Sequence, residues 1–434
     1  MQDATVVALQ SFLSRLVDAP DAADEATAID RISLLEAIKA GCAAAQAVET
    51  MRLEELRVEA ERSAGVPVAR QGRGLAAEVA LARRASGSAG GRSLGFARAL
   101  MREMPHTRAA LASGALTEWR ASILVRETAH LTPRDRGEID RRLCADTSAL
   151  EGVGDRALDA EVKRIAYELD PQAVVDRHAL APRDRRVSTR PAPDGMVRLS
   201  ALLPLVSGIS VFASLKRHAD ATVGGDERTH AQVMDDALVE RVTGVATADA
   251  LPVAVNVVMS DEVLLGDSPA AAHVTGYGPI PADTARAMVA TALDTDAHST
   301  LRRLYKAPSS GALVAMDSTA RLFPAGLKTF LDVRDQSCRI PYCDAPIAEY
   351  DHAEPHSQGG ATSADNGSGM CVSHNRAKQN PGWLVVTDDT GRHSATLTTP
   401  TGHSHVSRAP APPGHHDQPG SPVERRLRAM LDAA

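Results

Sequence analysis

The chain has 434 residues, 44% of them hydrophobic and 24% charged, with a formal net charge of -7. That is long enough for two to four domains with substantial cores, and the composition is that of ordinary folded protein. It excludes a membrane span, since no apolar run approaches the necessary length, and a disulfide framework, since three of only five cysteines fall in one short motif. An acidic balance leaves nucleic-acid binding to a local cationic face.

The start, Met1-Gln2-Asp3-Ala4, lacks the basic region and apolar core of a signal peptide. Residues 23–66 then read as one long helical segment. Ile32, Leu35, Ile38 and Cys42 recur on one stripe, and Met51, Leu53 and Leu56 continue an apolar surface. Gly65 and Pro67 end or bend it. Cys42 and Cys144, both in helical patterns, read as small buried hydrophobes. From 74 to 100 the pattern gives two helical blocks broken at Ser86-Gly87-Ser88-Ala89-Gly90-Gly91. Met104-Pro105-His106 breaks the chain again, and short helices follow through Ala129. Thr132-Pro133 is a helix start, with threonine as cap and proline at the first position.

Strands are few. Residues 187–190 and 196–199 flank Pro193-Asp194-Gly195, a hairpin signal. Residues 253–259 read as a strand. Gly278-Pro279 reads as a rigid connector into a helix from about Ala282, without the spacing or lysine of a phosphate-binding loop. Helical stretches at 282–293 and 301–305 precede Phe323, from which a short helix to Val333 leads toward Cys338.

This first part resembles the uncharacterised helical domain that precedes the nuclease in actinobacterial 13E12-repeat proteins. The resemblance spans roughly 25–320. It rests on Glu78-Val79-Ala80-Leu81-Ala82, Ala97-Arg98-Ala99-Leu100, Met104-Pro105, Asp170-Pro171, Arg185-Arg186-Val187 and Asp194-Gly195-Met196. It implies a mostly helical, intracellular domain without an assigned biochemical role. The family's usual basic stretch after Arg228-Thr229 and Gln232 stands here as Val233-Met234-Asp235-Asp236, which weakens a DNA-contact role for that surface.

The stretch from Cys338 to Asn375 carries the chemistry. Cys338-x4-Cys343 and Cys371-x2-His374 supply three thiolates and one imidazole, a set suited to a closed, structural tetrahedral zinc. Between the pairs, Asp351-His352 offers a carboxylate and an imidazole, and Gly359-Gly360 returns the chain to Asn366. On an extended strand Asp351 and His352 point in opposite directions, so both reach one phosphate only at a bulge or a strand end. Phosphodiester cleavage needs an activated nucleophile, which a near-neutral histidine provides, and charge neutralisation, which a divalent ion provides. His356 reads as a solvated loop histidine.

Here the chain resembles the zinc-containing HNH endonucleases over residues 326–390. The matching elements are Asp351-His352-Ala353-Glu354-Pro355, Gly359-Gly360, Asn366, and Cys371-Val372-Ser373-His374-Asn375 through to Lys378. The resemblance implies a ββα-metal fold with His352 as general base and Asn366 fixing the loop and imidazole. Asp351 and Asn375 would hold Mg2+ or Mn2+. Asn375 stands where the family often has histidine, an HNN variant whose amide oxygen can still ligate a hard cation.

Around the motif, Lys328, Arg334, Arg339, Arg376 and Lys378 are candidates for a cationic face, offset by Asp332, Asp335, Asp344 and Glu349. Residues 382–386 read as an exit strand with a hairpin turn at 389–391. The Pro/His-rich stretch from 400 reads as a flexible tail with a possible basic helix at 422–430. The expected fold is thus a mainly α N-terminal region with small β hairpins and a C-terminal α+β domain of the treble-clef or ββα-metal kind. Its divisions are 1–245, a mixed connection 246–325, a nuclease domain 326–399 and the tail 400–434. The expected function is metal-dependent hydrolysis of DNA, with RNA as the other backbone this chemistry can cut. The setting is a reducing cytoplasm, with no membrane. The alternative is an inactive zinc-scaffolded module that binds nucleic acid or protein.

Overall fold

A computed structural model describes residues 3–222, 227–244, 256–266, 268–294, 321–388 and 392–411. The N-terminal region is mainly helical with small antiparallel hairpins, and the C-terminal region is α+β with small open sheets. The chain forms two compact units, and neither is continuous in sequence. One joins residues up to Gly65 with Ser93–Asp176; the other joins Val66–Arg92 with the residues from Arg177 onward. Residues 66–92 thus group with the C-terminal half, and the second unit takes up the chain again at Arg177.

Helix α1, Ala4–Val17, begins where the Asp3 carboxylate accepts from the Thr5 and Val6 amides. Helix α2, Glu25–Ser63, is capped in the same way by Asp24 and ends just before Gly65, whose φ is 75°. Its length agrees with the sequence pattern, but its packing face does not. The buried residues are Ala40, Ala43, Ala44, Ala47 and Met51, whereas Ile32 is 62% exposed, and Leu35 and Cys42 are exposed as well. The reason is close approach: small side chains let a neighbouring loop come so near that a Cβ at Gly114 would lie 2.4 Å from the Ala37 Cβ.

Helices α3, Leu75–Ala82, and α4, Gly87–Arg102, follow. The break between them falls at 83–86, ahead of the glycines, which are helical. Gly90 serves crossing rather than breaking, since a Cβ there would sit 2.0 Å from the Ala76 carbonyl oxygen. Next come α5, Pro105–Ala112, α6, Glu118–Glu127, α7, Pro133–Cys144, α8, Asp155–Leu169, and α9, Pro171–Leu180. Thr132 caps α7 as expected, accepting from the Asp135 amide at 3.2 Å. The core of this unit encloses Leu100, Met104, Leu111, Leu124, Ile139 and Leu158. Cys144 is buried there, and desolvation pushes its thiol up to about 11.

In the second unit β1, Arg186–Pro191, and β2, Val197–Leu202, form the expected hairpin. Asp194 and Gly195 both have positive φ, the conformation that lets a tight turn follow strand twist. Helices α10, Leu205–Thr222, and α11, His230–Thr243, pack together; α11 opens with a Thr229/Gln232 capping box. Asp236, within α11, pairs with Arg228 at 2.6 Å.

A small sheet of β3, Val257–Val258, β4, Ala272–Val274, and β5, Gly278–Ile280, surrounds α12, Asp261–Leu265, in sequence and leads into α13, Ala282–Asp294. Gly278-Pro279 is therefore part of an edge strand rather than a bare connector, a position that tolerates proline. Residues 253–255 of the expected strand and the expected helical residues 301–305 lie outside the described residues.

Helix α14, Ala325–Asp335, delivers the chain to the cysteine motif. Strands β6, Glu349–His352, and β7, Gly367–Met370, pair in unbroken antiparallel register, and α15, Val372–Lys378, follows. A three-stranded sheet of β8, Leu384–Asp388, β9, Ser394–Thr398, and β10, Ser404–Arg408, completes the unit, ordered β10-β9-β8. β10 corrects the expectation of a flexible tail from 400, because alternating side chains in 404–408 pair with β9. The expected turn at 389–391 and basic helix at 422–430 lie outside the described residues. No described helix is long and apolar enough to cross a membrane.

Candidate metal centre

The Cys338–Cys343 knuckle closes because the Cys343 amide donates to the Ile340 carbonyl, with Tyr342 in the left-handed region at φ 63°. Cys371 is the N-cap of α15, and its sulfur accepts from the His374 amide at 3.5 Å. Knuckle and helix start thereby bring one ligand atom from each of Cys338, Cys343, Cys371 and His374 within 4.8 Å of one another. His374 Nδ1 lies 3.6 Å from Cys338 Sγ and 3.5 Å from Cys371 Sγ, and Cys343 and Cys371 sulfurs are 4.0 Å apart. Tetrahedral zinc bonds would place sulfurs about 3.8 Å apart and sulfur and nitrogen about 3.6 Å apart. The cluster could hold a metal ion such as zinc, through Nδ1 of the histidine. Hydrogen bonding from Cys338 pulls the Cys343 thiol down, and the same bond, with burial, pushes Cys338 up.

Distant sequence supports this centre. His374 Nε2 is buried without a hydrogen-bond partner and abuts Gly87, where a Cβ would lie 2.8 Å from it. Leu81 of α3 packs with Cys338, Ile340, Cys343 and Met370. Glu78 accepts from both the amide and hydroxyl of Thr401, at 3.2 and 3.1 Å. Sequence reading missed these supports. The only signals were a carboxylate inside the otherwise apolar Leu75–Ala82 run and a glycine at the start of a helix.

His352 is the last paired residue of β6 and is 8% exposed. Its Nε2 lies 2.8 Å from Thr362 Oγ1, its ring packs on Phe323, and His356 stands edge-on 5.7 Å away. Burial lowers the imidazole's proton affinity, which Asp351 partly restores and His356 and Lys378 lower further. The side chain is therefore neutral at neutral pH, with Nδ1 the nitrogen lacking a described hydrogen bond. Asn366 fixes the loop as expected: its amide donates to the Glu354 and Ala361 carbonyls and accepts from the Glu354 amide. The described hydrogen bond of the imidazole joins its Nε2 to Thr362 Oγ1 instead, which sequence reading missed.

Asp351 and Asn375 are brought to a common side. Alternation along β6 places Glu349 and Asp351 toward α15, whose i, i+3 residues Asn375 and Lys378 face them. Lys378 Nζ donates to Asp351 Oδ2 at 2.6 Å and also to the His352 carbonyl. Asn375 Nδ2 donates to Glu349 Oε2 at 2.7 Å. Glu349, read from sequence as a surface offset, thus orients the amide. The unbroken register puts His352 on the opposite face, so the two sides meet only at the end of β6.

The expected cationic face is smaller than its sequence. Arg334 and Arg339 are buried around Asp335, which is 2% exposed. Arg334 Nε donates to Asp335 Oδ1 at 2.7 Å, and Arg339 Nε lies 3.4 Å from the same oxygen. His393 joins them, accepting from Arg339 at Nδ1 and donating from Nε2 to the Asp365 carbonyl at 2.8 Å. These charges are structural, because a lone carboxylate between α14 and the knuckle needs them. Lys328 and Arg376 remain exposed, Lys328 over the Tyr350 ring.

No curated protein and no solved structure matches the chain. A family pattern does match, across residues 33–335, well over half of the sequence, and it ends with α14 as the chain enters the cysteine knuckle. The protein belongs to the family described as Domain of unknown function (DUF222).

Proposed function

We propose that the C-terminal module is a metal-dependent endonuclease that hydrolyses DNA phosphodiesters, scaffolded by a structural zinc at Cys338, Cys343, Cys371 and His374. One observation carries the reading. A hairpin and helix built on a single Cys3His cluster bring the His352 imidazole to the end of β6 beside Asp351, with Asn375 of α15 on the aspartate's side. DUF222 domains typically co-occur with HNH domains, which agrees with it.

The roles follow from the geometry. Thr362 holds Nε2 of His352, so Nδ1 takes the proton from water, and burial keeps that nitrogen unprotonated beforehand. Asp351 and Asn375 would hold Mg2+ or Mn2+; both present oxygen donors, which suit these ions better than softer ones. When bound, the ion would neutralise charge on the phosphoryl group and the leaving oxygen. Glu349 keeps the Asn375 nitrogen occupied, so the amide oxygen, which Gln379 Nε2 approaches only to 3.5 Å, is the ligand atom. Zinc takes no part in the chemistry, since four protein ligands fill its coordination shell.

The competing reading is a zinc-scaffolded binding module, favoured by the burial of Arg334 and Arg339, which leaves few cations to grip DNA. Nicking of supercoiled plasmid under Mg2+ or Mn2+ separates the two. His352→Ala is expected to retain zinc and folding while slowing single-turnover cleavage roughly 100-fold or more. Asn375→Ala is expected to raise the ion concentration required. Absence of cleavage of DNA or RNA under every divalent ion would select the binding module. Cleavage by His352→Ala at the wild-type rate would overturn the mechanism.

A further inference from the structure

Helix α1 presents an apolar stripe that no described element covers. Val6, Leu9, Leu13, Leu16 and Val17 fall within an arc of about 100° on the helix, with Arg15 on the opposite side. They are 43, 60, 62, 38 and 77% exposed, and α1 has no buried residue at all. The spacing 6, 9, 13, 16 is the alternating three and four of helices that pack along their length. A 14-residue helix has little stability alone in water, so such a stripe needs a partner.

The beginning of α2 has the same character. Ile29 and Ile32 precede Ala47 and Thr50 by 18 residues, five full turns, and so continue the face that α2 buries further along. Yet they are 63 and 62% exposed, and Leu35 beside them is 44% exposed. Residues 25–36 contain no buried side chain, which makes them an arm about 18 Å long.

We infer that α1 and the first turns of α2 form a homodimerisation surface, in which the stripe of one chain packs antiparallel on that of a second copy. Area is one reason. The eight exposed side chains leave on the order of 800 Å² of apolar surface in water, the share one partner brings to a standard interface and more than isolated monomers usually expose. Charge is the other. Residues 3–39 carry seven acidic and three basic side chains, which repels anionic lipid and nucleic acid alike. Antiparallel pairing of α1 also sets the positive N-terminus of each helix beside the negative C-terminus of its mate. A two-helix arm that pairs with itself meets its own shape by two-fold symmetry.

Light scattering on the purified full-length chain across micromolar concentrations tests this. The expected mass is twice 45.7 kDa for the wild type. It should fall to the single-chain value for Leu9→Glu with Leu13→Glu, and separately for Ile29→Glu with Ile32→Glu, with helix content and metal per chain unchanged. Two independent variants guard against a local folding defect in either helix. A wild type of single-chain mass throughout, or doubled mass retained by both variants, overturns the inference. So does sedimentation of a single-mass wild type with anionic phosphatidylserine vesicles, which would assign the stripe to lipid.

Discussion

The two compact units are held together by different physics. In the first, a dozen or more alanines, leucines and isoleucines from α2 and α4–α8 fill one core, and they outnumber the buried polar groups Thr50, Glu54, Thr107, Glu127, Thr128, Arg136 and Asp140. In the region around α14, β6, β7 and α15 polar groups make up a far larger share of the buried set: Arg334, Asp335, Arg339, His352, Thr362, Ser363, Ser368 and His374. Its apolar clusters are small, with Phe323, Leu327, Phe330 and Leu331 under α14 and Leu81, Ile340, Met370 and Leu397 by the cysteines. A module this size cannot enclose enough apolar area, so charge pairing and a cysteine and histidine cluster able to hold a metal stand beside it. The lesson is that apolar burial spreads its contribution over many residues, whereas the polar module depends on a few.

The sharpest way to break that contrast is to remove one cysteine. Cys371→Ser is expected to abolish metal retention and unfold residues 338–380 while the helical signal of the first unit survives. Zinc-finger peptides gain about 10–16 kcal/mol from their metal, which sets the scale of the loss. Elemental analysis with circular dichroism reads it. Full metal content in the variant would mean that the cluster is held by something other than its ligands.

Asp335→Ala gives the next effect. It strands the guanidinium groups of Arg334 and Arg339 in a site where Asp335 is their only described carboxylate partner. Breaking a buried pair from one side costs about 3–5 kcal/mol. Urea unfolding should show the second unit destabilised and the first little changed. A loss below 1 kcal/mol, the range of exposed pairs, would show that the network is solvated in solution.

The smallest effect is one of pH. His393 is pushed down to about 4 by burial and by Arg334 and Arg339 nearby, against an ordinary value of 6.5. A histidine lowered on folding is bound more readily by protons when unfolded, so stability is complete above pH 6.5 and falls as pH drops toward 4. The loss should approach about 3 kcal/mol. His393→Gln should flatten that slope. An unaltered slope between pH 6.5 and 4 in the variant would assign it to another group.

Sequence by itself determined much of this protein. Periodicity located α2, Thr132-Pro133 located the start of α7, and Pro193-Asp194-Gly195 located the first hairpin, because each signal is local and acts within a few residues. The cysteine and histidine spacings likewise picked out the four residues that come together in one cluster, since a knuckle and a helix start are short-range devices. Tertiary structure decided what depends on approach between distant segments. It chose the alanine face of α2 over the stripe through Ile32 and Cys42, and it made Gly90 a crossing point instead of a break. It also buried Arg334 and Arg339, which as letters read as a cationic surface, and matched Thr362 to His352 and Glu349 to Asn375. Charge and polarity are visible in a sequence, but whether a charge meets water or another charge depends on which segments come together.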